Sequence, residues 1–234
     1  MQIATWTRHL ALGALAAGLL GLSAGPASAA SLSVNGWTLG EQVYVQSDTR
    51  TGWVNTAELD VTLGGERGFS YCVDLAQNIG SGLTTGWTIL DAELSPGVLR
   101  AAWLVEYARP QFNVMLDPAN EEFVPGVTGA TAIAALQVAI WEVLADAPGE
   151  YNLYGGEFSL RSGGASAGVM NLARGFLGAL GSADLDAFET SGMFAQHGSR
   201  QDQIVFNPIP EPSSLALFFA GAGLVALACT RIRA

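Results

Sequence analysis

The stretch "FSYCVDL", residues 69–75, alternates strictly: Phe69, Tyr71, Val73 and Leu75 fall on one side, Ser70, Cys72 and Asp74 on the other. A period of two is the signature of a β-strand with one face committed to a core. The preceding residues 56–63 alternate in the same way, with Leu59, Val61 and Leu63 set against Glu58, Asp60 and Thr62. Gly64-Gly65 interrupts the pattern between them, so the two runs predict a hairpin. Working outward, residues 37–46 predict a further strand, with alternation at Val43 and Val45, and residues 203–206 predict a closing strand.

Between these strands the periodicity changes. Ser95 followed by Pro96 predicts a helix start, and Pro110 after Arg109 predicts its end. Residues 131–145 predict a second helix, stopped by Pro148-Gly149. A third is expected over residues 165–180, where Val169, Leu172, Ala173, Phe176, Leu177 and Leu180 recur at helical spacing before Gly181. The glycine-rich residues 153–164 read as loop. Strands, then helices, then a closing strand predict an α+β protein: a β-sheet module, sandwich or barrel-like, with a helical insertion.

Both ends of the 234-residue chain read as processing signals. Residues 1–29 hold a short basic n-region ending in Arg8-His9, an apolar run at residues 10–22, and the small-x-small pattern Ala27-Ser28-Ala29 after Pro26. This predicts a secretory signal peptide cleaved before Ala30. At the other end, Pro210-Glu211-Pro212 precedes an apolar run at residues 215–229 and the basic end Arg231-Ile232-Arg233. Arginines behind an apolar segment are retained in the cytoplasm. The order of tripeptide, transmembrane helix and basic end over residues 210–234 resembles the PEP-CTERM sorting signal. That resemblance implies export in a Gram-negative cell, insertion in the inner membrane before processing by an exosortase-type enzyme, and a final place at the cell surface or in a biofilm matrix. An ordinary single-pass anchor gives nearly the same topology. The domain division that follows is 1–29, 30–209 and 210–234.

The 181 residues from 30 to 210 carry seven arginines and 20 carboxylates, a formal charge of −13. Such a surface argues against nucleic acid and anionic membrane as partners. All ten basic residues of the chain are arginine, and it has no lysine. A bias toward arginine codons explains this, and so does avoidance of self-attachment through a side-chain amine.

Metal and cofactor chemistry find no anchor. No CxxC, HExxH or EF-hand pattern is present, and Asp117, Glu121 and Glu122 read as a solvated acidic loop. Cys72 and His197 are the only cysteine and histidine between residues 30 and 210. A Cys72–His197 nucleophile pair requires the polar stretch around His197 to fold back beside the strand. No G-x-S-x-G elbow accompanies it.

An unpaired cysteine in an exported chain marks either a buried thiol or a reactive one. Because Cys72 lies opposite the large apolar residues of its strand, it is expected to face a second element. The helix at residues 131–145 offers one. Ile133, Gln137, Ile140, Trp141 and Leu144 share a face there, and Gln137 is the polar exception. A buried amide without a partner costs about 1–3 kcal/mol, so Gln137 needs one.

Tyr71-Cys72-Val73-Asp74 on a strand, followed by Gln137-x-Ala139-Ile140-Trp141 on a helix, resembles the thioester domains of bacterial surface adhesins. The resemblance spans residues 37–206. Leu136 stands where that motif often has threonine, and the best-known members sit on Gram-positive cells. It implies an internal thioester between Cys72 and Gln137, with Tyr71, Asp74 and Trp141 in support, and covalent attachment to an amine- or hydroxyl-bearing surface or matrix molecule. Such a bond needs the thiol held against the amide, benefits from a depressed thiol pKa, and survives where water is excluded. Trp141, one turn from Gln137, is placed to cover it. Gln77, five residues beyond Cys72, is a rival amide, although its spacing does not match the complement-type C-G-E-Q arrangement. The expected role is adhesion rather than enzymatic turnover. The alternatives are a non-reactive surface or matrix protein with the same sorting tail, and a Cys72/His197 hydrolase or transferase.

Overall fold

The computed structural model describes residues 30–206 apart from Glu122; both terminal signals, including Pro210, Glu211 and Pro212, lie outside the described residues. Alternating apolar positions, punctuated by glycine, give nine strands there: β1 (Ala30–Leu39), β2 (Val43–Ser47), β3 (Thr51–Val54), β4 (Ala57–Leu63), β5 (Glu66–Cys72), β6 (Gly82–Asp91), β7 (Phe158–Leu160), β8 (Met193–Gln196) and β9 (Gln203–Phe206). Four α-helices interrupt them: α1 (Pro96–Ala108), α2 (Phe112–Leu116), α3 (Gly129–Ala145) and α4 (Ala167–Leu180).

Six strands close an antiparallel barrel in the order β1-β4-β5-β9-β8-β6. The hairpin expected around Gly64-Gly65 is its β4–β5 step, with Leu63 opposite Glu66 and Leu59 opposite Ser70. Both glycines have positive φ, 61° and 93°, which a two-residue hairpin turn of this hand requires. The barrel therefore answers the choice between sandwich and barrel, and α1 to α4 occupy the connection from β6 to β8 as a helical insertion. Among the described residues no helix is long and apolar enough to cross a membrane.

The run at residues 37–46 is not one strand. It splits at Gly40 into the end of β1, in the barrel, and β2, in a separate three-stranded sheet of order β3-β2-β7. The reason is steric. A side chain at Gly40 would meet Thr56 Oγ1 at 2.2 Å and the backbone nitrogen of Ala134 at 2.9 Å, so the chain passes tightly beneath α3 there and leaves the barrel. The supposed loop at residues 153–164 contains β7, which pairs with β2 from Val45–Leu160 to Ser47–Phe158. The helix that starts at Pro96 ends before Pro110 as expected, at Ala108 with Arg109 as its cap. A 3-10 turn over Arg109–Gln111 carries the chain directly into α2. Proline is tolerated there because its missing N–H falls in the first turn of a new segment.

Two apolar clusters result. The smaller fills the barrel with Leu32, Val34, Leu59, Val61, Leu63, Trp87 and Val205, and Cys72 belongs to it. The larger lies outside the barrel wall, where α1, α3 and α4 pack on Tyr71, Val73, Ile204 and Phe206 and on the small sheet. The alternation in residues 69–75 thus separates two cores rather than core from solvent. Helix α3 runs between these layers and is buried on every side from Thr131 to Val143. Its start is fixed by a capping box, in which Thr128 Oγ1 accepts from the Thr131 N–H at 3.1 Å and Thr131 Oγ1 accepts from the Thr128 N–H at 3.2 Å.

Candidate functional site

The last residue of β5, Cys72, meets the middle of α3 at Gln137. Gln137 Oε1 accepts from the Cys72 N–H at 3.3 Å, and Gln137 Nε2 donates to the Cys72 carbonyl at 2.7 Å. The amide thus behaves as a one-residue strand partner where β5 ends, and satisfies both main-chain groups of the cysteine. Gln137 is 1% exposed, and this pairing answers its need for a partner on a buried helix. The two residues are 65 positions apart, joined only through the fold.

The cysteine side chain points the other way, into the barrel, and not toward α3 as its opposition to Tyr71 and Val73 suggested. There it meets a different amide. Gln203 Nε2 donates to Cys72 Sγ at 3.4 Å and also to the Gln201 carbonyl at 3.0 Å. Gln203 Oε1 accepts from the Ser70 hydroxyl at 3.1 Å. Ser70 and Gln203 are both fully buried, and Cys72 faces Gln203 directly across the β5–β9 ladder. Sequence reading missed Gln203, although a glutamine opening a strand of Ile-Val-Phe residues was the available signal.

Burial pushes the Cys72 thiol up to about 12; the Gln203 hydrogen bond pulls it down, and the nearby charge of Asp74 adds to the rise. The depressed thiol expected for bond formation is therefore reversed. An apolar barrel interior disfavours the thiolate more than one amide donor can offset.

Tyr71 points into the helical core with its hydroxyl donating to Glu58 Oε2 at 2.7 Å. Arg109 holds the same carboxylate through Nε at 2.8 Å and Nη2 at 3.1 Å, and its guanidinium lies 3.8 Å above the Phe69 ring. Asp74 organises the turn after β5. Its Oδ1 accepts from the Gln77 N–H at 3.0 Å and its Oδ2 from the Asp202 N–H at 2.6 Å, while its carbonyl accepts from Gln201 Nε2. These bonds fasten the end of β5 to the start of β9 and so set the Cys72–Gln203 pairing.

His197 is not brought to the thiol. Its Nε2 lies 3.1 Å from the Thr85 carbonyl, its Nδ1 accepts from the Ser199 N–H at 3.1 Å, and its ring packs 5.0 Å from Trp87. Both ring nitrogens are engaged, and among the described residues no hydrogen bond joins His197 to Cys72.

Cys72 is 8% exposed, and it forms part of the wall of a cavity of about 370 Å³ together with Trp141 and the rival amide Gln77. Trp141 also packs against Phe158, at 6.1 Å between ring centres. No family model, no curated protein and no solved structure matches this chain.

Proposed function

We propose that the chain is an exported surface or matrix protein that forms an internal thioester between Cys72 and Gln137 and uses it for a single covalent attachment. The observation that carries this reading is the seating of the Gln137 amide on the peptide of the cysteine that carries the thiol. An amide held at that residue is already in the neighbourhood of its thiol, and a turn of the Cys72 side chain from Gln203 toward α3 is what makes the encounter intramolecular. In the forming step Cys72 Sγ attacks Gln137 Cδ. The S–C bond forms, the Cδ–Nε2 bond breaks, and the thiol proton leaves with the nitrogen as ammonia. Gln137 gives up its two bonds to the Cys72 peptide and turns its carbonyl carbon onto sulfur, while Gln203 donates to that sulfur. In the opening step an amine or hydroxyl of the target attacks Cδ, the C–S bond breaks and the proton returns to Cys72 as thiol. The dry barrel interior, which makes the free thiol a poor nucleophile, also protects the bond from water once it exists. Export and exosortase processing are supported by the signal-like ends of the sequence.

A second reading is favoured by a specific observation. The Gln137 amide and Cys72 Sγ each already have hydrogen-bond partners, so the same residues serve equally as a staple between β5 and α3 in a non-reactive matrix protein. Intact mass of the purified exported protein separates the two. A deficit of one ammonia, replaced by a methylamine adduct on treatment and absent from Cys72→Ala and Gln137→Ala, supports the thioester. Persistence of the deficit in Gln137→Ala with loss in Gln77→Ala or Gln203→Ala moves the bond to that amide. A full mass with one titrating thiol in the wild type leaves the staple.

A further inference from the structure

The cavity beside Cys72 is built for a particular kind of ligand. Three of the large hydrophobic side chains left exposed among the described residues, Trp37 (53%), Leu39 (53%) and Trp53 (57%), line it. Two indoles and a leucine presented together to solvent form an apolar platform, whereas scattered single residues would need no explanation. The remaining lining mixes aliphatic side chains with the neutral amides Asn55, Gln77, Asn78 and Gln201, and its one charged side chain, Arg50, already donates to Asn78 Oδ1 at 3.1 Å. Deeper in the wall, two buried polar atoms lack any hydrogen-bond partner: Trp141 Nε1, a donor on a residue only 3% exposed, and Gln77 Oε1, an acceptor. Buried polar atoms without partners are uncommon, and these two come within reach of a cavity ligand when the Trp141 indole or the Gln77 amide turns outward. A hydroxyl both donates and accepts from one atom. Flat apolar faces with sparse neutral hydrogen-bonding groups suit a molecule with apolar ring faces and a hydroxylated edge, and about 370 Å³ is within the range of small-molecule sites.

We propose that this cavity is a saccharide subsite, taking a neutral hexose or an amino sugar against the exposed indoles of Trp37 and Trp53 with its hydroxylated edge toward the amide side chains of the lining. The non-covalent half of this inference stands alone. The covalent half, in which the bound sugar supplies the amine or hydroxyl that attacks the acyl carbon on Cys72, rests on the thioester reading.

The test is a glycan array carrying neutral hexose, N-acetylated amino-sugar, free amino-sugar and uronic-acid oligosaccharides, probed with the exported protein and with Cys72→Ala. The expected result is retention of both proteins on neutral or amino-sugar glycans under native washing. A Trp37→Ala/Trp53→Ala double variant, with unchanged thermal unfolding, should lose at least about tenfold of that signal, the equivalent of one well-made contact. Retention of the wild type alone after a denaturing wash adds the covalent half. Native retention of both proteins with nothing surviving denaturation upholds the subsite and removes covalent capture. No retention on any glycan, retention on uronic acids alone, or retention indifferent to the double variant overturns the subsite, even if methylamine labelling shows the thioester to be present.

Discussion

The amide of Gln137 is hydrogen-bonded to the main chain of Cys72 at both its oxygen and its nitrogen, while the sulfur of the same cysteine is bonded to Gln203. One residue is thus gripped by two glutamines, one from α3 outside the barrel and one from the neighbouring barrel strand β9. The arrangement separates what each substitution removes.

Cys72→Ala keeps the peptide that Gln137 binds, whereas Gln137→Leu leaves a buried N–H and a buried carbonyl without partners. Both variants lose the proposed bond. Only Gln137→Leu should lose a further 1–3 kcal/mol or so of unfolding free energy relative to Cys72→Ala, the cost of orphaned main-chain groups. Urea unfolding at neutral pH checks this. Equal midpoints for the two variants at equal m-values would show that the Gln137–Cys72 pairing carries no stability.

Gln203 offsets part of the rise in the Cys72 thiol pKa, so removing its donor should raise that pKa further. In a Gln137→Ala background, where the thiol is free, adding Gln203→Met should slow alkylation by iodoacetamide at fixed pH. A hydrogen bond of about 1.5 kcal/mol corresponds to roughly tenfold. The pH–rate profile is the deciding readout, because a merely looser barrel would speed alkylation at all pH values instead of shifting the profile upward.

The parts of this site legible in the sequence are those fixed by local pattern. Alternation in residues 69–75 placed Cys72 opposite Tyr71 and Val73, which holds in the fold, and helical spacing picked out Gln137 as the polar member of the face with Ile133, Ile140, Trp141 and Leu144, where it is buried. Residues 203–206 form β9 as expected, and the Ser95-Pro96 start holds for α1. The direction in which Cys72 points was not legible, because alternation distinguishes two faces without saying that both are buried. The apolar stripe on α3 carried little information for the same reason: the helix is enclosed, so every face is a core face. Strand β6 escaped notice because glycine and threonine dilute its alternation, and β8 because its four residues are too few to show a period; barrel closure rather than propensity holds them. Gln203 and the cavity depend on pairings across more than 100 residues, which no local window contains.

The Tyr71 hydroxyl ends in a carboxylate that Arg109 also holds in two places. Tyr71→Phe should therefore cost about 1.5–3 kcal/mol, the range for a hydrogen bond to a charged group, without touching Cys72 or its reactivity. Thermal unfolding combined with the methylamine mass assay checks both halves. Loss of the adduct at unchanged stability would make Tyr71 part of the reactive site instead of its frame.

One turn beyond the site, Glu142 lies fully buried on α3 and should impose a pH dependence on the whole fold. Burial pushes its carboxyl up to about 8; the Asn152 N–H that it accepts pulls it down, and Asp146, itself buried, adds to the rise. Glu142 Oε2 and Asp146 Oδ2 have no hydrogen-bond partner among the described residues, which is consistent with a proton held between two acids of one helix end. The ordinary value for this carboxyl is 4.5, so between that pH and about 8 the folded protein keeps a proton that the unfolded chain has released. Stability is then complete below the lower value and declines as pH rises through the upper one. The unfolding free energy from urea titrations at about pH 5 to pH 9 should fall by an amount on the order of 1–3 kcal/mol, and Glu142→Gln, which holds no titrating proton, should flatten the decline. The same slope in wild type and Glu142→Gln would assign the pH dependence to other groups. A midpoint that stays flat from about pH 5 to pH 9 would mean that Glu142 is ionised in the folded protein as well as in the unfolded chain across that range.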